Sequence, residues 1–260
     1  MDESKKHLFQ LEQPVAEEIA KILLVFGKDI TAVLKKIDQK WKMFFSSQGL
    51  FNANITLSIP SSETHTEEFS FFVSDFINAL DFCLIQNMSE NTIETFLSAD
   101  GLLFTTCREG EYLQEFVIPR LHNIPEIFDT RENTPSLFKI MFDGRQLKNM
   151  VKDIHPQTAK QFFVSTHPET EAVSLASITD FGKFTSNYKV DTSVHHLDNI
   201  KISFLYNSAV LSFIKKISYC TNNITVAMLS EGVLSLQCVF LAQMKNFGLL
   251  EIDFFSFLEL

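Results

Sequence analysis

This 260-residue chain holds 7 histidines, 4 cysteines and 32 carboxylates, and their spacing argues against metal or acid–base catalysis. His195 and His196 form its adjacent histidine pair. Neighbouring residues in a loop point their rings apart, and no cysteine or carboxylate cluster has ligand spacing. Cys83, Cys107, Cys220 and Cys238 make no CxxC pair, and most lie in or beside apolar runs. They read as buried free thiols in a reducing compartment. Asp75, Asp81, Asp100 and Glu111 would be the carboxylates of a Mg2+ nuclease. Asp100 is better explained by a hairpin turn, however, and Asp75 by a helix start. There is no GxSxG, HExxH or phosphate-loop motif. The expectation is a non-enzyme that needs no cofactor and no metal.

A second kind of chemistry lies in the bases, and four segments would position it. Residues 28–37 carry Ile30, Val33, Leu34 and Ile37 at i, i+3, i+4, i+7, one face of a helix. Residues 74–83, 145–154 and 208–217 repeat that spacing with Phe76/Ala79/Leu80/Cys83, Leu147/Met150/Val151/Ile154 and Val210/Phe213/Ile214/Ile217. Opposite the apolar stripes stand Lys28, Lys35 and Lys36 on the first segment. Arg145, Lys148 and Lys152 stand on the third, and Lys215 and Lys216 on the fourth. The second segment has no base. A basic face repeated in three of the four segments suggests a surface meant for a polyanion.

Between these segments the period falls to two. Strands are expected before the later helices, at 67–73, 137–142 and 201–206. Hairpins broken at Gly49, Gly101 and Gly232 follow the first, second and fourth segments. The third segment should have a hairpin at 161–164 and 171–175, turned through Pro168. Residues 179–199 read as a strand plus an exposed loop. The order helix, hairpin, strand therefore recurs, which is an internal duplication at half the chain length. The break falls in the proline-bearing stretch near residues 119–134. The expected domains are 1–118 and 135–260, with 119–134 connecting them.

Composition narrows the function. The net charge is -10, so the chain as a whole has no basic footprint, and DNA contact would require gathered bases. No apolar run approaches about 18 residues, so no membrane span and no membrane partner are expected. The 27 phenylalanines suit packed strands and helix faces.

Duplicated halves, each with two short helices and paired antiparallel strands and with bases on the helices, resemble DNA sliding clamps. The closing stretch from Ser208 to Cys238 carries the likeness most clearly. Within it, Glu231-Gly-Val-Leu-Ser-Leu-Gln237 is similar to the Rad-one subunit of the nine-one-one checkpoint clamp, as are residues 28–37 and 69–83. The resemblance implies an α+β DNA-clamp fold of two duplicated domains, each with two short helices on one face of antiparallel sheets. It implies interface strands at 111–118 (Glu111, Tyr112, Leu113, Glu115, Val117) and 171–178 (Glu171, Val173, Leu175). It further implies a heterotrimeric ring with two other clamp-like subunits, placed by an ATP-driven clamp loader around double-stranded DNA without sequence specificity. Such a ring would serve the DNA-damage checkpoint in the nucleus, recruiting repair and checkpoint proteins, with the connector 120–134 docking partner peptides. The alternative is a homotrimeric replicative clamp.

Overall fold

The computed structural model describes residues 5–27, 29–47, 49–59, 68–84, 92–108, 111–121, 134–154, 158–242 and 245–259. The elements run β1 (Lys6–Glu12), α1 (Gln13–Phe26), β2 (Thr31–Ile37), β3 (Lys40–Ser47), β4 (Phe51–Leu57), β5 (Glu68–Phe72), α2 (Val73–Leu84), β6 (Thr92–Ser98), β7 (Gly101–Arg108) and β8 (Glu111–Pro119). The series then restarts with β9 (Ser136–Asp143), α3 (Gly144–Val151), β10 (Ala159–His167), a 3-10 turn (Pro168–Thr170), β11 (Ala172–Thr179) and β12 (Gly182–Lys189). It ends with β13 (His196–Leu197), β14 (Ser203–Tyr206), α4 (Ala209–Cys220), β15 (Asn223–Leu229), β16 (Val233–Ala242), β17 (Lys245–Phe255) and β18 (Leu258–Glu259). Apart from the short β13 and β18, the second series repeats the first element by element. The duplication read from the sequence pattern is therefore present.

The described chain forms two compact units. Unit 1 comprises Met1–Ser46, Asn54–Ile127 and Phe240–Leu249, and unit 2 comprises Ser47–Ala53, Phe128–Val239 and Leu250–Leu260. In unit 1, β1-β6-β7-β8 form one antiparallel sheet, and β5-β2-β3-β4 run in order in another. The helices α1 and α2 pack together there. Unit 2 matches it, with β12-β11-β10-β14-β18 in one sheet, β13-β9-β15-β16 in the other, and α3 against α4. Each core lies between the inner faces of sheet and helix. Ile19, Leu23, Phe76 and Leu80 are buried in unit 1, and Leu147, Val151, Ile214 and Ile217 in unit 2.

Three helices fall where the apolar spacing puts them: α2, α3 and α4. The expected helix at residues 28–37 is instead β2. Ala32, Val33 and Leu34 are all fully buried, so this strand has neighbours on both faces and both flanks. A strand buried on both faces needs no alternation, so its apolar residues fit a helical template by chance. The helix that fills this place in the repeat is α1. Its signals are Pro14 in its first turn and Gly27 just past its end. Ala16, Ile19, Ala20 and Leu23 supply a buried stripe at the helical spacing.

The hairpin glycines do what their position requires. Gly101 has a φ of 147°, and a Cβ there would collide with the backbone carbonyl of Ile118. Gly232 has a φ of 78°, and its carbonyl accepts the buried Tyr206 hydroxyl at 3.0 Å. The third hairpin turns at Pro168, as its sequence suggests, with Glu171 left-handed at a φ of 49°.

Candidate nucleic-acid interface

Unit 2 presents a paired basic surface. Asp143 caps α3: its carboxylate accepts the Arg145 N–H at 2.8 Å, and the Gln146 side chain accepts the Asp143 N–H at 3.1 Å. This capping box satisfies backbone donors that the helix start would otherwise leave open. The Gly144 N–H donates to the Asn222 carbonyl at 2.7 Å, which ties the start of α3 to the residues just after α4. Leu147, Met150 and Val151 face inward, so Arg145 and Lys148 face outward, with Lys152 just beyond the helix end. On α4, Ile214 and Ile217 are buried, which turns Lys215 and Lys216 outward.

The two helices join across these outer faces. The Lys148 ammonium lies 4.0 Å from the centre of the Tyr219 ring. Tyr219 is 61% exposed, so the contact is at the surface. Neither α3 nor α4 contains a carboxylate. Elsewhere in the described chain lysines meet carboxylates, as in Lys5–Glu115, Lys21–Glu18, Lys35–Glu68, Lys160–Asp180 and Lys201–Glu169. Bases on adjacent short helices can meet phosphates without reading base edges.

Unit 1 does not repeat this surface. Lys28 lies outside the described residues. Lys35 and Lys36 belong to strand β2, not to a helix. Lys35 is engaged by Glu68, its cross-strand partner on β5. Lys36 is only 6% exposed, so its side chain lies in the fold. The outward residues of the α1–α2 pair include Glu17, Glu18, Lys21, Asn78 and Asp81. Glu18 meets Lys21 at 2.5 Å, and Glu17 accepts from the Gln13 amide at 2.9 Å. Of the eight bases assigned from the sequence, the five of unit 2 lie on or just after one helix pair, Lys35 and Lys36 lie on strand β2 of unit 1, and Lys28 lies outside the described residues.

Two edge strands are the other candidate surfaces. Among the described residues β8 ends its sheet, paired only with β7, with a register shift beside Leu113. Glu111, Tyr112 and Leu113 lie on it, although their side chains are outside the described ones. Glu115 pairs with Lys5 at 2.9 Å, and Val117 is exposed. The second expected interface strand is corrected. β11, with Val173 and Leu175, is paired along its length to β10 on one side and β12 on the other. Glu171 stands in the turn before it. The free edge is β12, which follows β11 through the turn at Gly182. A hairpin adds its second strand outside the first, so the residues 182–189 take the edge. Phe184 is 40% exposed on β12, and Lys183 and Lys189 are exposed along it.

The other sequence candidates are spread over several elements. Asp75 and Asp81 lie on α2, Asp100 in the β6–β7 turn and Glu111 on β8. His196 pairs through β13 to the β9 edge, where its Nε2 is 2.9 Å from the Ser136 carbonyl and 3.6 Å from Asp198. Among the described residues no group of three or more His, Cys, Asp or Glu could hold a metal ion. None of the four cysteines is in a disulfide, and Cys83, Cys107 and Cys238 are buried. Burial pushes the Cys83 thiol up to about 11 and raises that of Cys238 further. No described helix is long and apolar enough to cross a membrane. The connector 120–134 lies mostly outside the described residues. At its start the Arg120 guanidinium donates to the Glu68 carbonyl and lies 5.9 Å from the centre of the Phe69 ring.

No protein-family model matches the sequence, and neither does any curated protein. Solved structures do match. One is a PCNA2–PCNA3 complex from Sulfolobus tokodaii, with 13% identity, a TM-score of 0.72, and coverage of 96% of this chain and 98% of that one. Another is the Proliferating Cellular Nuclear Antigen from Entamoeba histolytica, with 10% identity, a TM-score of 0.74, and coverage of 97% and 99%. Over nearly its whole length, then, this chain has the sliding-clamp fold.

Proposed function

We propose that this chain is a non-catalytic subunit of a ring that encircles double-stranded DNA. The observation that carries the proposal is a mismatch between the two repeats. In the first, β4 has β17 beside it, with the Ser58 N–H donating to the Phe247 carbonyl at 2.7 Å. Its Phe51, Ala53, Ile55 and Leu57 are buried. In the second repeat, the corresponding strand β12 has no such neighbour among the described residues, and its inward Phe184 is part-exposed. The counterpart of β17 in the first repeat is β8, which is also an edge. A β8 strand of another subunit laid against β12 would restore the missing neighbour, and repetition of that joint closes a ring. The basic α3–α4 pair would then touch the phosphates, and topology rather than tight binding would hold the DNA.

Within this reading, the sequence resemblance favours a heterotrimeric checkpoint ring in the nucleus. It would have two other clamp-like subunits, an ATP-driven loader, and repair and checkpoint clients. A second reading, the homotrimeric replicative clamp, has one observation in its favour. β8 carries Glu111 and Glu115 while β12 carries Lys183 and Lys189, so one chain holds both complementary edges.

The mass of the purified chain in solution, alone and with clamp-like partners, separates the readings. A monomer that forms a one-to-one-to-one complex supports the checkpoint subunit, and a self-trimer supports the replicative type. The assembled ring should stay on closed circular DNA and leave when the circle is cut. A ring that binds cut and closed DNA equally would end the clamp proposal.

A further inference from the structure

The two helix pairs carry opposite charge. α3 and α4 hold Arg145, Lys148, Lys215 and Lys216 and no acid, with Lys152 and Asp153 following. α1 and α2 hold Glu17, Glu18, Asp75 and Asp81 against the single base Lys21, which Glu18 engages. In the repeat these pairs are counterparts in element order, but not in charge.

We infer that duplex DNA rests on the α3–α4 pair alone, and that the carboxylates of the α1–α2 pair hold it off the other half of the subunit. The inference rests on the clamp reading above and specifies its DNA seat. A phosphate beside a carboxylate gains no counterion release, and the two repel over a screening length of about 8 Å at physiological salt. A phosphate beside Arg145 or Lys216 releases counterions and is held. The resulting seat is one-sided, and each copy of the chain supplies at most about five phosphate contacts. The salt dependence of binding should reflect that number, with log K falling by about 0.9 per contact for each unit of log salt. Tyr219 adds to the contrast, because its ring steadies Lys148 at the seat.

The test uses two exposed asparagines in the assembled ring. Asn78 is on α2 and Asn149 on α3. A photo-crosslinking residue is placed at each in turn, Asn78→p-benzoylphenylalanine and Asn149→p-benzoylphenylalanine, and the ring is loaded on closed circular duplex. Crosslinking to DNA should be at least tenfold more efficient from position 149. A companion variant, Glu17→Gln with Asp81→Asn, should raise crosslinking from position 78 severalfold as the repulsion is removed. Equal crosslinking from both positions in the unaltered background would overturn the one-sided seat while leaving the clamp reading intact. No crosslinking from either position, in a ring whose assembly is verified by mass, would remove the clamp reading and this inference with it.

Discussion

Lys148 and Tyr219 join α3 to α4 across their exposed faces, ammonium over ring at 4.0 Å. An exposed cation–π contact is worth about 0.5–1 kcal/mol. Tyr219→Ala should therefore lower stability to urea by about that amount, and Tyr219→Phe by much less. Equal losses for the two variants would mean that the hydroxyl, not the ring face, matters.

Charge reversal of the basic pair should separate DNA retention from folding. Arg145→Glu with Lys152→Glu should leave stability within about 0.5 kcal/mol, since both side chains are exposed. A carboxylate suits the helix start at 145 and opposes the helix end at 152, so the dipole effects offset. Retention on circular DNA should fall, and each lost phosphate contact should flatten the salt slope by about 0.9. Retention measured across a salt series checks this.

The unit 1 lysines should behave in the opposite way. Lys36 is buried on β2. Lys36→Glu puts a carboxylate in the fold and should cost on the order of 3 kcal/mol in denaturant unfolding. Lys35→Ala removes the partner of Glu68 and should cost less than about 1 kcal/mol, as for other half-exposed pairs. DNA retention by any folded Lys35→Ala ring should be unchanged.

Gly101→Ala should be among the more damaging small substitutions. The position needs a φ of 147°, and its Cβ would meet the Ile118 backbone. Losses of about 1–3 kcal/mol are expected from backbone strain of this kind. Because Gly101 pairs with Pro119 at the end of β8, ring assembly should weaken as well. Thermal melting and the mass of the complex measure the two effects separately.

The Cys83 thiol, raised by burial from 9.0 to about 11, makes stability depend on alkaline pH. Above the unfolded value the unfolded chain releases this proton while the folded chain keeps it, so unfolding is favoured as pH rises. The contribution is complete below about pH 9 and lost progressively towards 11. Cys83→Ala should flatten the fall in stability over that window. Native Cys83 should also resist alkylation near pH 8, where an unfolded chain reacts.

The legible part of the fold was its local part. The stripes of α2, α3 and α4, the glycine hairpins at 49, 101 and 232 and the Pro168 turn depend on residues a few places apart. The error at residues 28–37 arose because Ala32, Val33 and Leu34 are buried from both sides, a fact about strands β3 and β5 that the segment does not contain. The same error hid α1, whose Pro14 and Gly27 are readable start and stop signals. The choice of β11 as an edge failed for a related reason. Which strand lies outermost depends on what the chain does after Thr179, and the segment 179–199 has weak apolar patterning because much of it is exposed. For the site, the bases of α3 and α4 were found because the helices were. Lys35 and Lys36 were misassigned along with their helix.

The bare edge of β12 has a cost while no partner covers it. Its row of open N–H and C=O groups would accept almost any extended segment, including another β12. Lys183 and Lys189 stand three pleat repeats apart on the same side of that strand, where an antiparallel copy would bring ammonium groups together. The lysines that would welcome the acidic β8 thus also discourage identical edges from meeting, and each chain is kept available for its proper neighbour instead of being lost to tangled pairs.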